Sequence, residues 1–296
     1  MPAARPEPNP LAALSASLSG LVADAAPSLV SVHSHRLVSS GFAWKPGLIV
    51  TADERLAEEG EIAVTLPGGQ RIAARVAGRD PTTDIALLRA EASDLTPVAF
   101  ESATPGAGAL VIAVGSREGE SVAALGVVVA SGPAWRSLRG GEIDARIELD
   151  LALRGHAEGG LAINAAGHAF GMTVSGPRRR VLVIPAVTIA RVASQLETHG
   201  KVARGYLGLA LHPVRVDRQG GVGAMVMNVD ADGPGAKAGI HQGDVIQSWG
   251  AQPIHSPGEL LRALGPASVG RSVSVALSRA GETRTVDVVV GERPER

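Results

Sequence analysis

Residue types able to do covalent or metal chemistry are few in this chain. There is no cysteine, which removes thiolate nucleophiles, thiolate metal sites and disulfides together. Eight histidines remain. His33 and His35 stand two apart in a strand-like run, a spacing that puts both rings on one face and could hold a metal ion. A pair at the surface or the core edge is the plainer expectation. His168, His212, His241 and His255 fall at expected turns without a partner pattern. Among hydroxyls, Ser116 follows Gly115 at an expected strand-to-loop turn and Ser175 precedes Gly176-Pro177, but neither lies in a nucleophile elbow. The stretch from Gly233 to Gly239 looks superficially like a phosphate loop. It lacks the glycine spacing and a preceding βαβ unit, and is rejected as one.

The elements that must position these groups are mostly strands. The chain is 45% apolar but only 2% aromatic, and its 37 glycines and 19 prolines separate short Val/Ile/Leu runs. That pattern predicts many strands joined by tight turns. A length of 296 residues suggests about two domains. With 28 basic and 29 acidic residues the net charge is -1, which argues against a general nucleic-acid binder and a polybasic membrane-surface protein. No apolar run approaches the length of a membrane span. Met1 to Pro10 reads as a flexible tail. Leu11, Leu14, Leu18, Leu21 and Val22 then follow helical spacing, interrupted by serines. That favours an amphipathic helix over a secretory signal, so a cytoplasmic location is expected.

From Pro27 to about Ile184 short strands dominate. Ile62, Val64 and Leu66 alternate, Pro67-Gly68-Gly69-Gln70 turns the chain, and Ile72, Ala74 and Val76 resume the period. Further strands are expected at Leu48–Val50, Ile85–Leu88, Leu110–Val114, Leu125–Val129, Ala169–Val174 and Val181–Ile184. An all-β sandwich or a pair of barrels fits. Pro185 introduces a helix whose stripe is Ile189, Val192, Ala193 and Leu196, with Gly200 placed to end it. A linker over 201–205 precedes a smaller unit of strands and one helix. Ser256, Pro257 and Glu259 give that helix a cap, a first-turn proline and a capping box. Two strands around Arg279-Ala280-Gly281-Glu282 close the unit.

In order and spacing these segments resemble the HtrA family, a trypsin-like double β-barrel protease followed by a PDZ domain. Gly47-Leu48-Ile49-Val50-Thr51 resembles the strand that leads to the family's catalytic histidine. The run from Gly78 through Asp84 to Leu88 matches the segment carrying its catalytic aspartate. Arg204-Gly205-Tyr206-Leu207-Gly208 matches the junction between protease and PDZ domains, and Ala236–Ile240 with Gly243–Ile246 is typical of the PDZ domain. The resemblance implies a tail and helix over 1–26, a protease domain over 27–200 and a PDZ domain over 206–292. It also places Glu54 where the family has its catalytic histidine, and Glu158 where G-N-S-G-G-P has its serine. Asp84 alone of the triad matches, and His156 replaces the glycine of the oxyanion turn.

Serine attack needs a hydroxyl, a base and a carboxylate that orients the base. Two of the three are replaced here, and a backbone with φ > 0 is disfavoured at His156. The resemblance therefore implies a pseudoprotease, with an active serine endopeptidase as the alternative. If Glu54, Asp84 and Glu158 converge, they must be neutralised by a proton, a cation, solvent or an arginine such as Arg55 or Arg154. A divalent-cation site aided by His156 and a carboxylate-based hydrolase are further alternatives. No required cofactor or metal is expected. In the second unit the resemblance implies capture of peptide C-termini or unfolded clients by the loop Tyr206-Leu207-Gly208-Leu209, with Leu260, Leu261 or Leu264 lining an apolar pocket. Each leucine could instead serve only the domain core. The family further implies homo-oligomers, commonly trimers, and an active paralogue as a possible partner.

Overall fold

Period-two apolar patterns become strands, and the turns between them set which strands meet. The computed structural model describes residues 9–92, 94–215 and 222–294; most of the expected N-terminal tail lies outside them. Helix α1 (Pro10–Ala25) comes first, capped by the Asn9 side chain. Leu11 and Leu14 on its stripe are exposed, while Leu18, Leu21 and Val22 are half-buried.

Strands β1 (Leu29–Ser34), β2 (Leu37–Lys45), β3 (Leu48–Thr51), β4 (Ile62–Thr65), β5 (Arg71–Asp80) and β6 (Ile85–Ala90) close into an antiparallel barrel in the order β1-β2-β3-β6-β5-β4. The hairpin β4–β5 has the expected turn, with Leu66 N–H donating to the Gln70 carbonyl at 2.8 Å. Val30, Val32, Ile49, Val64 and Leu88 fill this barrel. The second barrel uses β7 (Leu110–Arg117), β8 (Glu120–Gly132), β11 (Arg146–Asp150), β12 (Leu161–Asn164), β13 (Ala169–Ser175) and β14 (Val181–Pro185), with a short hairpin of β9 (Trp135–Arg136) and β10 (Glu142–Ile143) inserted between β8 and β11. Its core holds Val111, Ile147, Phe170 and Val183. Helix α2 (Ala186–His199) buries Ile189, Val192, Ala193 and Leu196 and ends at Gly200, which adopts the left-handed conformation.

The chain divides between Lys201 and Val202 into two compact units. The second contains β15 (Gly205–Tyr206), β16 (Leu209–Arg215), β17 (Val222–Val229), α3 (Pro234–Lys237), β18 (Val245–Trp249), β19 (Gln252–Pro253), α4 (Pro257–Ala263), β20 (Ser272–Arg279), β21 (Glu282–Val289) and β22 (Gly291–Glu292). The main sheet runs β16-β17-β18-β20-β21, which leaves β16 as an edge strand. Ser256 caps α4 as expected. The Glu259 carboxylate reaches back to the N–H of His255 rather than to that of Ser256, one residue beyond an ordinary capping box. Among the described residues no helix is long and apolar enough to cross a membrane.

Three side-chain expectations are corrected. His33 and His35 do not share a face: His33 lies buried in β1, 2.8 Å from the Thr65 hydroxyl, whereas His35 sits exposed in the turn at φ 52°. The strand run ends between them. Ser116 is not at a loop turn but inside β7, buried, its Oγ 2.9 Å from that of Ser31. His212 belongs to β16, paired with Met225 rather than placed at a turn.

Candidate functional site

The segment after β3 is held by a half-buried arginine. Residues Asp53–Arg55 form a 3-10 turn. Arg79 binds the Asp53 carboxylate, and its guanidinium donates to the carbonyls of Asp53, Leu56 and Ala57 at 3.2, 3.2 and 3.0 Å. Burial pushes the Asp53 carboxyl up, and Arg79 opposes that shift. This knot presents the Glu54 N–H to Asp84 Oδ1 at 2.7 Å while the Glu54 side chain points to solvent, 3.1 Å from Arg139.

Asp84 is raised into the cleft by the turn before it. The Asp80 carboxylate accepts from the Thr82 N–H and hydroxyl and from the Thr83 hydroxyl, the self-bonded turn that a short acidic side chain favours. The chain then passes through φ 58° at Asp84 itself. Burial, together with the neighbouring charges of Glu54, Asp53 and Glu158, pushes its carboxyl up to about 7; the Glu54 N–H opposes them.

Residues Gly155–Ala157 wind into a 3-10 turn in which the Glu158 N–H donates to the Gly155 carbonyl at 3.4 Å. Gly159 follows at φ 81°, where a Cβ would stand 2.3 Å from the Ser40 carbonyl oxygen, so only glycine fits. The Glu158 side chain is 14% exposed; one oxygen lies 3.4 Å from Arg55 Nε, and the other accepts a short hydrogen bond from the Ser175 hydroxyl. The Arg55 contact is an ion pair without hydrogen-bond alignment, for Arg55 Nε has no such partner.

Glu54, Asp84 and Ser175 line one cleft of about 470 Å³, with Trp135, Leu138 and Arg139 on its far wall and no histidine in its lining. Of the neutralising partners expected, Arg55 reaches Glu158 and Arg154 does not. Arg139 was not legible beforehand, since its loop is remote in sequence from Glu54 and no spacing connects them. The described residues contain no group of three or more His, Asp or Glu placed to hold a metal ion.

In the second unit Tyr206, Leu207, Gly208, Leu209, Leu260, Leu261 and Leu264 line a single groove of about 510 Å³ between β16 and α4. The Leu207 carbonyl accepts from Gly235 N–H and the Gly208 carbonyl from Asp230 N–H, both at 2.8 Å. Because a trans peptide sets its C=O and N–H on opposite sides, the amides of Gly208 and Leu209 face away from those bonds. Gly208 has φ 71°. Leu207, Leu260 and Leu264 also belong to the core, while Leu261 is 62% exposed.

Two closed antiparallel barrels with a cleft lined by Glu54 and Asp84 but not by Glu158, followed by a β-rich unit with a strand-edge groove, define a trypsin-like peptidase fold joined to a PDZ domain. The family models agree: a trypsin-like peptidase domain matches residues 39–172 and a PDZ domain matches residues 205–290. The chain belongs to the HtrA/DegP-like family. Probable periplasmic serine endoproteases of the DegP-like type from Pseudomonas fulva and Pseudomonas fluorescens are 35% and 33% identical, over 87% and 84% of this chain. The alignments cover 56% and 55% of those proteins, so the chain spans about half the length of the curated relatives it matches. The serine endoprotease from Yersinia pestis superposes with a TM-score of 0.75 at 26% identity, covering 93% of this chain and 98% of that one. The HtrA-type protease AlgW with a decapeptide gives 0.75 at 22%, covering 94% and 99%, a likeness of fold.

These relatives correct the expected cytoplasmic location: they are named periplasmic, which points to the periplasm instead. The serine-interrupted run behind that expectation forms helix α1, and a cysteine-free chain suits either compartment.

Proposed function

We propose that this chain is an HtrA-like pseudoprotease that captures peptide C-termini or unfolded clients through its PDZ groove, as a scaffold or regulator in protein quality control. One observation carries the first half. Glu158 and Glu54, which the resemblance puts at the nucleophile and base positions, are each engaged by an arginine, and the cleft lining offers no imidazole beside a hydroxyl. The oxyanion turn supports the same reading, since the Glu158 N–H is spent inside a 3-10 turn. Labelling with a fluorophosphonate, alongside casein digestion, tests it. The expected result is neither labelling nor digestion.

The names of the curated relatives favour a second reading, an active serine endopeptidase. Labelling that maps to one serine establishes it and removes the first. Digestion without labelling that is lost in Asp84→Asn is the outcome of a carboxylate-based hydrolase, for which Asp84 supplies the protonated acid.

Capture of C-termini rests on the Gly208 and Leu209 amides, which face a groove beside the open edge of β16. Leu261, exposed at its rim, supplies apolar surface. Peptides ending in apolar residues are expected to bind the full chain, and amidation of the terminus to weaken them; equal affinity for both forms rejects carboxylate capture. Assembly as a homo-oligomer, a trimer by the family pattern, is supported by the exposed Leu11 and Leu14 of α1 and by Leu110, Leu125 and Val129 on the second barrel. An active paralogue is the alternative partner in such an assembly.

A further inference from the structure

Several arginines around the two barrels are ion-paired: Arg55, Arg79, Arg136, Arg139, Arg146, Arg180 and Arg191 have carboxylate partners. Arg36, Arg117 and Arg154 do not: none has an acidic partner among the described residues, and all three line one open cavity of about 680 Å³. The same cavity holds Glu118 and His156. Three guanidinium groups less one carboxylate leave two positive charges on the lining. The His156 ring adds none at neutral pH, because burial and the nearby Arg117 and Arg154 hold it below its ordinary range.

The cations hang from fixed backbone. Arg36 occupies the two-residue turn closed by the Ser34–Leu37 pair at the tip of β1–β2. Arg117 pairs with Glu120 across a second tight turn, where Glu118 and Gly119 have φ 52° and 86°. The Arg154 carbonyl accepts the Ala157 N–H at 2.8 Å and so opens the 3-10 turn of Gly155–Ala157. A fourth guanidinium backs the wall. Arg55 Nη2 donates to the Val38 carbonyl at 3.3 Å and leaves a Gly155 Cβ only 2.8 Å of room. Uncompensated charge on preorganised turns raises the local concentration of anions and binds carboxylates through the arginine fork. The three cations come from three separate elements around an open cavity, a layout that suits an extended chain better than one compact oxyanion.

We propose that the cavity bounded by Arg36, Arg117 and Arg154 binds an acidic stretch of polypeptide, whose aspartate or glutamate carboxylates pair with the three guanidinium groups. Neither the PDZ groove nor the fate of the cleft carboxylates enters this assignment.

The test is fluorescence anisotropy on the full chain with a labelled peptide alternating aspartate and glycine, acetylated and amidated so that it has no free terminus for the groove. Binding is expected, weakening as salt rises. Arg117→Ser/Arg154→Ser should cost at least about tenfold in affinity, and Glu118→Gln, which removes the lining's own carboxylate, should gain about threefold. A melting curve followed by circular dichroism confirms that the variants fold; Arg36→Ser, at an exposed hairpin tip, replaces the double variant if that one does not. Equal binding of the asparagine-for-aspartate peptide, or arginine variants that bind like the parent, overturns the proposal. So does inorganic phosphate binding with the same arginine dependence while the peptide fails to bind, which identifies a free-oxyanion site instead.

Discussion

Replacing Asp84 by asparagine should stabilise the protein, by an amount that depends on pH in a defined way. In the folded chain its carboxyl titrates at about 7 against an ordinary value of 3.8. The folded state therefore favours the protonated form. The stability linked to that proton is complete below the unfolded value and is lost as pH rises through the folded one. At about 1.4 kcal/mol per pH unit the whole displacement corresponds to about 4 kcal/mol. Asparagine keeps the oxygen that accepts the Glu54 N–H and tolerates φ 58°, so neither the hydrogen bond nor the backbone is strained by the change. Urea unfolding of both proteins from pH 4 to pH 9 reads the effect as a difference of differences, which cancels the titrating groups not coupled to Asp84. The variant should match the parent near pH 4, gain steadily to about pH 7 and hold a plateau of about 4 kcal/mol above it. A gain that does not change with pH, or a variant less stable at pH 8, would falsify the assignment of Asp84 as a carboxyl strained by burial and by its acidic neighbours.

Two other perturbations address the same loops. Glu54→His with Glu158→Ser should restore the side chains of the triad yet leave casein intact, and adding His156→Gly should bring hydrolysis back by freeing the Glu158-position amide from its 3-10 bond; full activity in the double variant refutes a lost oxyanion turn. Arg79→Ala strands the buried Asp53 carboxylate and should cost about 3 kcal/mol at neutral pH, less near pH 4 where that carboxyl takes a proton. A loss under about 1 kcal/mol in the same urea experiment shows the pair to be unimportant.

Legibility followed the range of the interactions. The β4–β5 hairpin, α2 with its Gly200 stop, and the Ser256 cap are encoded within a few residues, and each was readable from local pattern. Strand β1 was read only as a strand-like run around His33 and β2 not at all, because both faces are largely buried and serine and apolar residues mix without a polar period. His35 misled for a related reason: a two-residue turn breaks the strand where the letters still look extended. At the site, the positions of Glu54, Asp84 and Glu158 came from the resemblance, whereas their partners came only from the fold. Arg139 reaches Glu54 from a distant loop, and Ser175 reaches Glu158 from the end of β13. The arginine cavity was invisible for the same reason, its three members being scattered over two hairpin turns and the turn before Glu158.

The Arg79 knot separates what builds the cleft from what would react in it. Its bonds go to main-chain carbonyls and to Asp53, and Asp80 ties its own turn, so neither structural anchor depends on the identity of position 54 or 158. On the proposed pseudoprotease reading, a lineage carrying such anchors sheds an ancestral activity one letter at a time without misfolding along the way. The architecture then outlives the chemistry, and natural selection inherits a ready-made frame on which recognition alone can be improved.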